Sequence, residues 1–221
     1  MIALALSVAL VAAAQAPGQL VDGIDKESVQ LTKATVRFGE CVARRREKDV
    51  KKIIASSVGS DEELHFMLQA TRTDTDCDLS GLAGLQISKT LLLGAILEAY
   101  YHRQLKTQPL PPAQARWSAR SSKPGASEQA VRQDRIADLG ACIAAHNPSG
   151  AVELLKTKPM TYGERAANAA LGRDVKTCAA GMGIRKITQQ ELRGSIATGL
   201  VNALQARRVV SAANMAGQQH A

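Results

Sequence analysis

Along residues 34–55, ATVRFGECVARRREKDVKKIIA, the apolar side chains Val36, Cys41, Val42, Val50, Ile53 and Ile54 approximate one helical face, and basic residues fill the other. The next segment, SVGSDEELHFMLQATRTDTDCDL, predicts a second helix. Ser60 is followed three positions later by Glu63, the reciprocal pattern that caps a helix start, and Leu64, Met67 and Leu68 supply a stripe for burial. SKTLLLGAILEAYYHRQL predicts a third helix, apolar on nearly every side. Upstream, DKESVQL resembles a helix start, so a short helix from about Lys26 is expected to run into the first of these elements.

The pattern then returns. FGECV at 38–42 is echoed by LGACI at 139–143, and Cys77 follows Cys41 by the same 36 positions that separate Cys178 from Cys142. RIADLGACIAAHNPSGAVELLKT corresponds to the first helix, interrupted or shortened by the breaker Asn147-Pro148-Ser149-Gly150. Thr161 and Glu164 fall where Ser60 and Glu63 stand, and Gly194 falls over Gly94 once one residue is deleted from the preceding loop. The expected fold class is therefore all-α: two tandem, sequence-similar three-helix modules, each with one intramodule disulfide. Their bounds are 34–103 and 134–208, after a polar lead-in at 15–33. Residues 104–133 read as a Pro/Ser-rich basic linker and 209–221 as a disordered tail.

In this frame glycine and cysteine have packing roles. Gly39 and Gly140, beside the staples, would let another backbone approach closely, and Gly94 and Gly194 are expected to do the same at a helix crossing. Two modules packed on those glycines would leave the cleft between them as the default ligand site.

Composition narrows the picture further. Aromatic residues are only 3% of the chain, which suits packed helices and argues against a stacking platform for bases. The formal charge of +8 is unevenly spread: 34–103 is neutral, 104–133 carries +4 and 134–208 carries +5. That excess suits weak attraction to anionic surfaces or polymers. Residues 1–14 begin an uncharged apolar run ending in small residues and read as a signal peptide cleaved before Gln15. The competing reading is an apolar N-terminal helix of a cytosolic protein. No transmembrane segment is expected in the mature chain, because no other run reaches the length that spans a bilayer.

Export decides how the cysteines are read. In an oxidising compartment four cysteines imply two disulfides, and the repeat selects Cys41–Cys77 and Cys142–Cys178 from three connectivities. No metal site is expected. There is no C-x-x-C pair, and none of His65, His102, His146 and His220 has a metal-ligand partner at helical or loop spacing. Asp74, Asp76 and Asp78 lack the glycine and glutamate that complete a calcium loop.

No catalytic or cofactor signature is present: no G-x-S-x-G elbow, no phosphate loop, no S-x-x-K. The cluster at 44–52 is basic, but Glu47 and Asp49 interleave with it, which favours a solvated helix face over a nucleic-acid helix. Trp117, flanked by Arg116 and Arg120, is a candidate partner contact, weighed against an aromatic docked on the protein's own surface. The function these features favour is non-enzymatic: a binding or interaction protein, periplasmic or secreted, using no cofactor. Its partner is an anionic envelope component or another protein, with no nucleic acid expected. The rival is an enzyme with dispersed residues, for which Glu98, Tyr100, Tyr101 and His102 are the first suspects. Thiol exchange is a third reading, disfavoured because it needs an accessible low-pKa thiolate.

Overall fold

The computed structural model describes residues 21–22, 26–55, 63, 65, 66, 69, 77, 88–114, 125, 127–184 and 186–218. Eight α-helices are present among them. They are α1 (Lys26–Arg45), α2 (Glu47–Ala55), α3 (Lys89–Tyr100), α4 (Glu128–His146), α5 (Pro148–Lys156), α6 (Tyr162–Ala170), α7 (Gly172–Ala179) and α8 (Gln189–Gln218). A two-residue parallel pairing joins β1 (Val21–Asp22) to β2 (Ile187–Thr188) and ties the lead-in to the start of α8. No helix of the described residues is long and apolar enough to cross a membrane.

Helix ends follow local chemistry. Helix α1 buries Thr32, Thr35, Phe38 and Val42 at helical spacing, and Arg44 and Arg45 sit at its negative end. The helix expected from about Lys26 does run into the first element, but the single helix predicted over 34–55 is broken at Arg46. The Arg46 guanidinium there turns to Asp49 at 3.1 Å and to Gln69 at 3.3 Å, over the Phe66 ring. The corresponding break after α4 falls at Asn147. Its side chain accepts from the Gly150 N–H at 2.8 Å, with Pro148 in the first turn, where proline needs no donor.

The stretch from Thr161 to Ala179 is likewise two helices rather than one. Thr161 caps α6, and Leu171 separates α6 from α7. Helix α8 opens with a capping box: Thr188 Oγ1 accepts from the Glu191 N–H at 3.1 Å, while a Glu191 oxygen accepts from the Thr188 N–H at 3.0 Å.

Two predicted boundaries are corrected. Residues 128–133, assigned to the linker, form the first turns of α4, capped by Ser127. Helix α8 continues to Gln218, across residues 209–218 where disorder is expected. That stretch, SAANMAGQ after Val209 and Val210, is rich in alanine, the residue that extends a helix at least cost. The start of the linker is docked: Arg207 donates to the Pro109 and Leu110 carbonyls, and the Gln114 N–H donates to the Ala145 carbonyl at 2.8 Å.

Helices α1, α3, α8 and α4 form the body, each packed on the next, with residues from all four in one continuous apolar core. Glycines set the spacing. A Cβ on Gly39 of α1 would lie 2.5 Å from the Ala95 carbonyl oxygen of α3, and one on Gly140 of α4 would overlap the Ser195 carbonyl of α8. At the centre α3 crosses α8, where a Cβ on Gly94 would overlap the backbone of Gly194. The disulfides are Cys41–Cys77 and Cys142–Cys178, with Cα atoms 5.6 Å and 5.8 Å apart.

Candidate functional site

The α3–α8 crossing is flanked by two small clefts, each beside a buried ion pair. In the first, Arg193 of α8 is buried and uses its whole fork. Nε and Nη2 donate to the Glu98 carboxylate of α3 at 2.9 and 2.6 Å. Nη1 donates to the Leu154 carbonyl, Thr157 Oγ1 and Glu164, and Nη2 also reaches the Leu155 and Thr157 carbonyls. Burial works against the charge on Glu98, but hydrogen bonds from His102 and Arg193, with the Arg193 charge, outweigh it and hold the carboxyl below its ordinary 4.5. Thr32, Thr35 and Val36 of α1 and Pro159 and Gln190 close the space beside it.

The second cleft lies across the crossing. Buried Glu63 pairs with Lys89 at 2.6 Å, near Thr90, Leu93 and Thr198, with Gln133, Asp134 and Ala137 of α4 opposite. In the repeat expected from the sequence, which sets Gly94 against Gly194, Leu93 aligns with Arg193 and Glu98 with Thr198. The two cavities measure about 20 and 30 Å³, room for roughly one water molecule each. Among the described residues the close glycine crossing leaves only these two small spaces beside it.

Larger concavities lie on the outside, and both are cationic. One, of about 580 Å³, runs between α1 and the end of α3 and is lined by Arg37, Glu40, Arg44, His102 and Arg103 beside Cys41. Arg37, Arg44 and Arg103 are exposed there, and the Arg103 charge is close enough to Glu47 to help hold that carboxyl below its ordinary value, behind the larger effect of Lys51. A single π-helical turn, Tyr101–Leu105, extends α3 and sets His102 and Arg103 at this groove. The other concavity, of about 870 Å³, is lined by Glu128, Arg132, Arg135 and Lys186. There Arg132 is held by Glu191 at 2.8 and 3.2 Å.

A third cluster joins the second disulfide to a histidine. His146, at the last turn of α4, places Nδ1 3.3 Å from Cys142 Sγ, 3.6 Å from Cys178 Sγ and 3.0 Å from the Cys142 carbonyl oxygen. The sequence reading gives His146 no ligand partner. The i,i+4 spacing to Cys142 was available, but a cysteine assigned to a disulfide is not counted as a ligand.

Of the other sequence candidates, Gly39, Gly94, Gly140 and Gly194 all sit at close backbone approaches. Trp117, Arg116 and Arg120 lie outside the described residues. Among the dispersed suspects, Glu98 is engaged by Arg193, and Tyr100 and Tyr101 are buried. Burial raises the Tyr101 hydroxyl above its ordinary value, against a smaller opposing pull from Lys156. His102 is partly exposed, 3.8 Å from Glu98. Sequence reasoning missed Arg193 altogether: a single arginine in an apolar helix carries no pattern, although a charge in such a run is itself a signal of buried pairing. The chain matches no protein-family model, no curated protein and no solved structure.

Proposed function

We propose that this chain is an exported, non-enzymatic binding protein, built from a duplicated helical unit folded on itself, whose ligand is an anionic component of the cell envelope. One observation carries the binding reading. Arg193, Glu98 and Glu164 at the seam are paired within the fold, whereas the groove of Arg37, Arg44 and Arg103 is roomy and exposed, with cations in excess over Glu40 and the nearby Glu47. An anionic polymer or headgroup surface would balance the excess positive charge.

Duplication is supported by the matching spacings. Gly39 meets α3 as Gly140 meets α8, the glycines 94 and 194 meet each other, and the two flanking clefts use corresponding positions. Export is supported by the uncharged apolar start and by two disulfides, which persist in oxidising compartments.

The test is binding of the full mature chain to vesicles, one set with anionic lipid and one zwitterionic, beside a soluble anionic envelope polysaccharide. Binding to an anionic probe that weakens steeply with salt, and is lost in R37E/R44E/R103E, is expected. No binding to any anionic probe at low salt, or binding indifferent to the three substitutions, overturns the proposal.

A further inference from the structure

The two disulfides differ in what stands one turn after the first cysteine: Arg45 after Cys41, but His146 after Cys142. In the second case the imidazole faces both sulfurs. Tetrahedral zinc with Zn–S of about 2.3 Å and Zn–N of about 2.0–2.1 Å places its nitrogen about 3.6 Å from each sulfur and its sulfurs about 3.8 Å apart. His146 Nδ1 already lies 3.3 and 3.6 Å from Cys142 Sγ and Cys178 Sγ. The cysteine Cα atoms, 5.8 Å apart, belong to two helices, α4 and α7, that are held together independently by the Asn147–Asp174 hydrogen bond at 2.9 Å.

We propose that Cys142, His146 and Cys178 form a thiol-gated site for a thiophilic divalent cation such as zinc, open when the disulfide is reduced and closed when it is formed. A dithiol reductant breaks the S–S bond, giving two thiols while the reductant becomes a disulfide. Cation binding then releases the two thiol protons; His146 Nδ1, 3.0 Å from the Cys142 carbonyl oxygen, gives up any proton it directs there and binds as the neutral nitrogen, with the ring proton on Nε2. Metal and disulfide are mutually exclusive occupants of the same two sulfurs. Burial suits the site: Cys142 and Cys178 are 4% and 3% exposed, so the cation is shielded from competing solvent. Three protein ligands leave one coordination position for water. The first disulfide offers no such site among the described residues, because a guanidinium is not a ligand at neutral pH.

The experiment uses the full chain, reduced with a dithiol that is then removed without air, and titrated with cobalt(II) as a spectroscopic stand-in for zinc. Reduced protein should bind one equivalent, with thiolate-to-cobalt absorption in the near ultraviolet and visible bands of tetrahedral intensity. The oxidised protein should show neither. H146A should weaken binding by at least the roughly 10- to 100-fold that loss of a merely supporting residue produces. Zinc should also raise the Tm of the reduced chain and leave that of the oxidised chain unchanged. Unchanged cobalt affinity in H146A overturns the proposal, because it assigns the metal to thiols alone. So does a reduced chain that loses its helical circular dichroism and does not recover it with zinc.

Discussion

At the residue scale the glycines make opposed predictions from one chemical change. Alanine in a helix interior is favoured over glycine by about 1 kcal/mol, so an idle helical glycine should tolerate the exchange or gain from it. Gly172, the first residue of α7, has open space where the added methyl group would stand, and away from a helix interior the gain is smaller: G172A should be neutral or stabilising by about a few tenths of a kcal/mol. At Gly94 a methyl group would overlap backbone, which cannot rotate away; G94A should cost about 3 kcal/mol or more despite the propensity gain. Gly194 is the informative intermediate: its nearest approach is 3.1 Å to the Thr90 carbonyl oxygen, so G194A should cost less than G94A. Urea denaturation of the three variants ranks them. Arg193 is the other residue whose removal should be severe. R193M leaves Glu98 and Glu164 without their cation and should cost about 3–5 kcal/mol, part of which R193M/E98Q/E164Q recovers. Because the Glu98 carboxyl is held below 4.5, its contribution is present above that pH and is lost as pH falls through the lowered native value. A plot of stability against pH should therefore be flatter on its acid side in E98Q.

At the element scale, legibility follows how local the cause is. Asn147-Pro148 is readable as a break because proline and a capping amide act within one turn. The break at Arg46 is not, since it depends on Gln69 and Phe66, which are far along the chain. The π-helical turn after Tyr100 has no sequence mark either, yet it brings His102 and Arg103 to the cationic groove. The disulfide pairing is legible from the repeated spacing once export is expected, whereas the contact between His146 and that bridge requires the packing of α7 on α4. Each bridge closes 36 positions of chain and should contribute about 4 kcal/mol if unfolded-state entropy dominates. Replacing one pair with alanine, C142A/C178A, should lower stability by about that amount. A loss well under about 1 kcal/mol in urea would show that the helices are held by packing alone.

At the scale of the whole molecule, the duplication reading makes the chain the covalent counterpart of a two-fold dimer, with the α3–α8 crossing on the axis. The asymmetry at the axis then has an energetic meaning. Arg193 takes one carboxylate, Glu164, from its own half and the other, Glu98, from the opposite half. The reverse pairing does not exist, because Leu93 and Thr198 occupy the corresponding places. Two copies of residues 127–218 should therefore be able to associate through their own Gly194 crossings, but each buried Arg193 would face Thr198 of its partner and keep only half its carboxylates. Glu164 would still balance the charge, but the buried Nε and Nη2 donors that Glu98 satisfies would lose their carboxylate, which opposes that assembly. Substituting T198E returns the missing carboxylate on both sides at once. Sedimentation of the isolated segment should show a weak dimer, and T198E should tighten it by at least about tenfold, the equivalent of about 1.4 kcal/mol. A segment that stays monomeric and folded with T198E in place would mean that the crossing is not a self-complementary surface, and the duplicated-unit reading would fall with it.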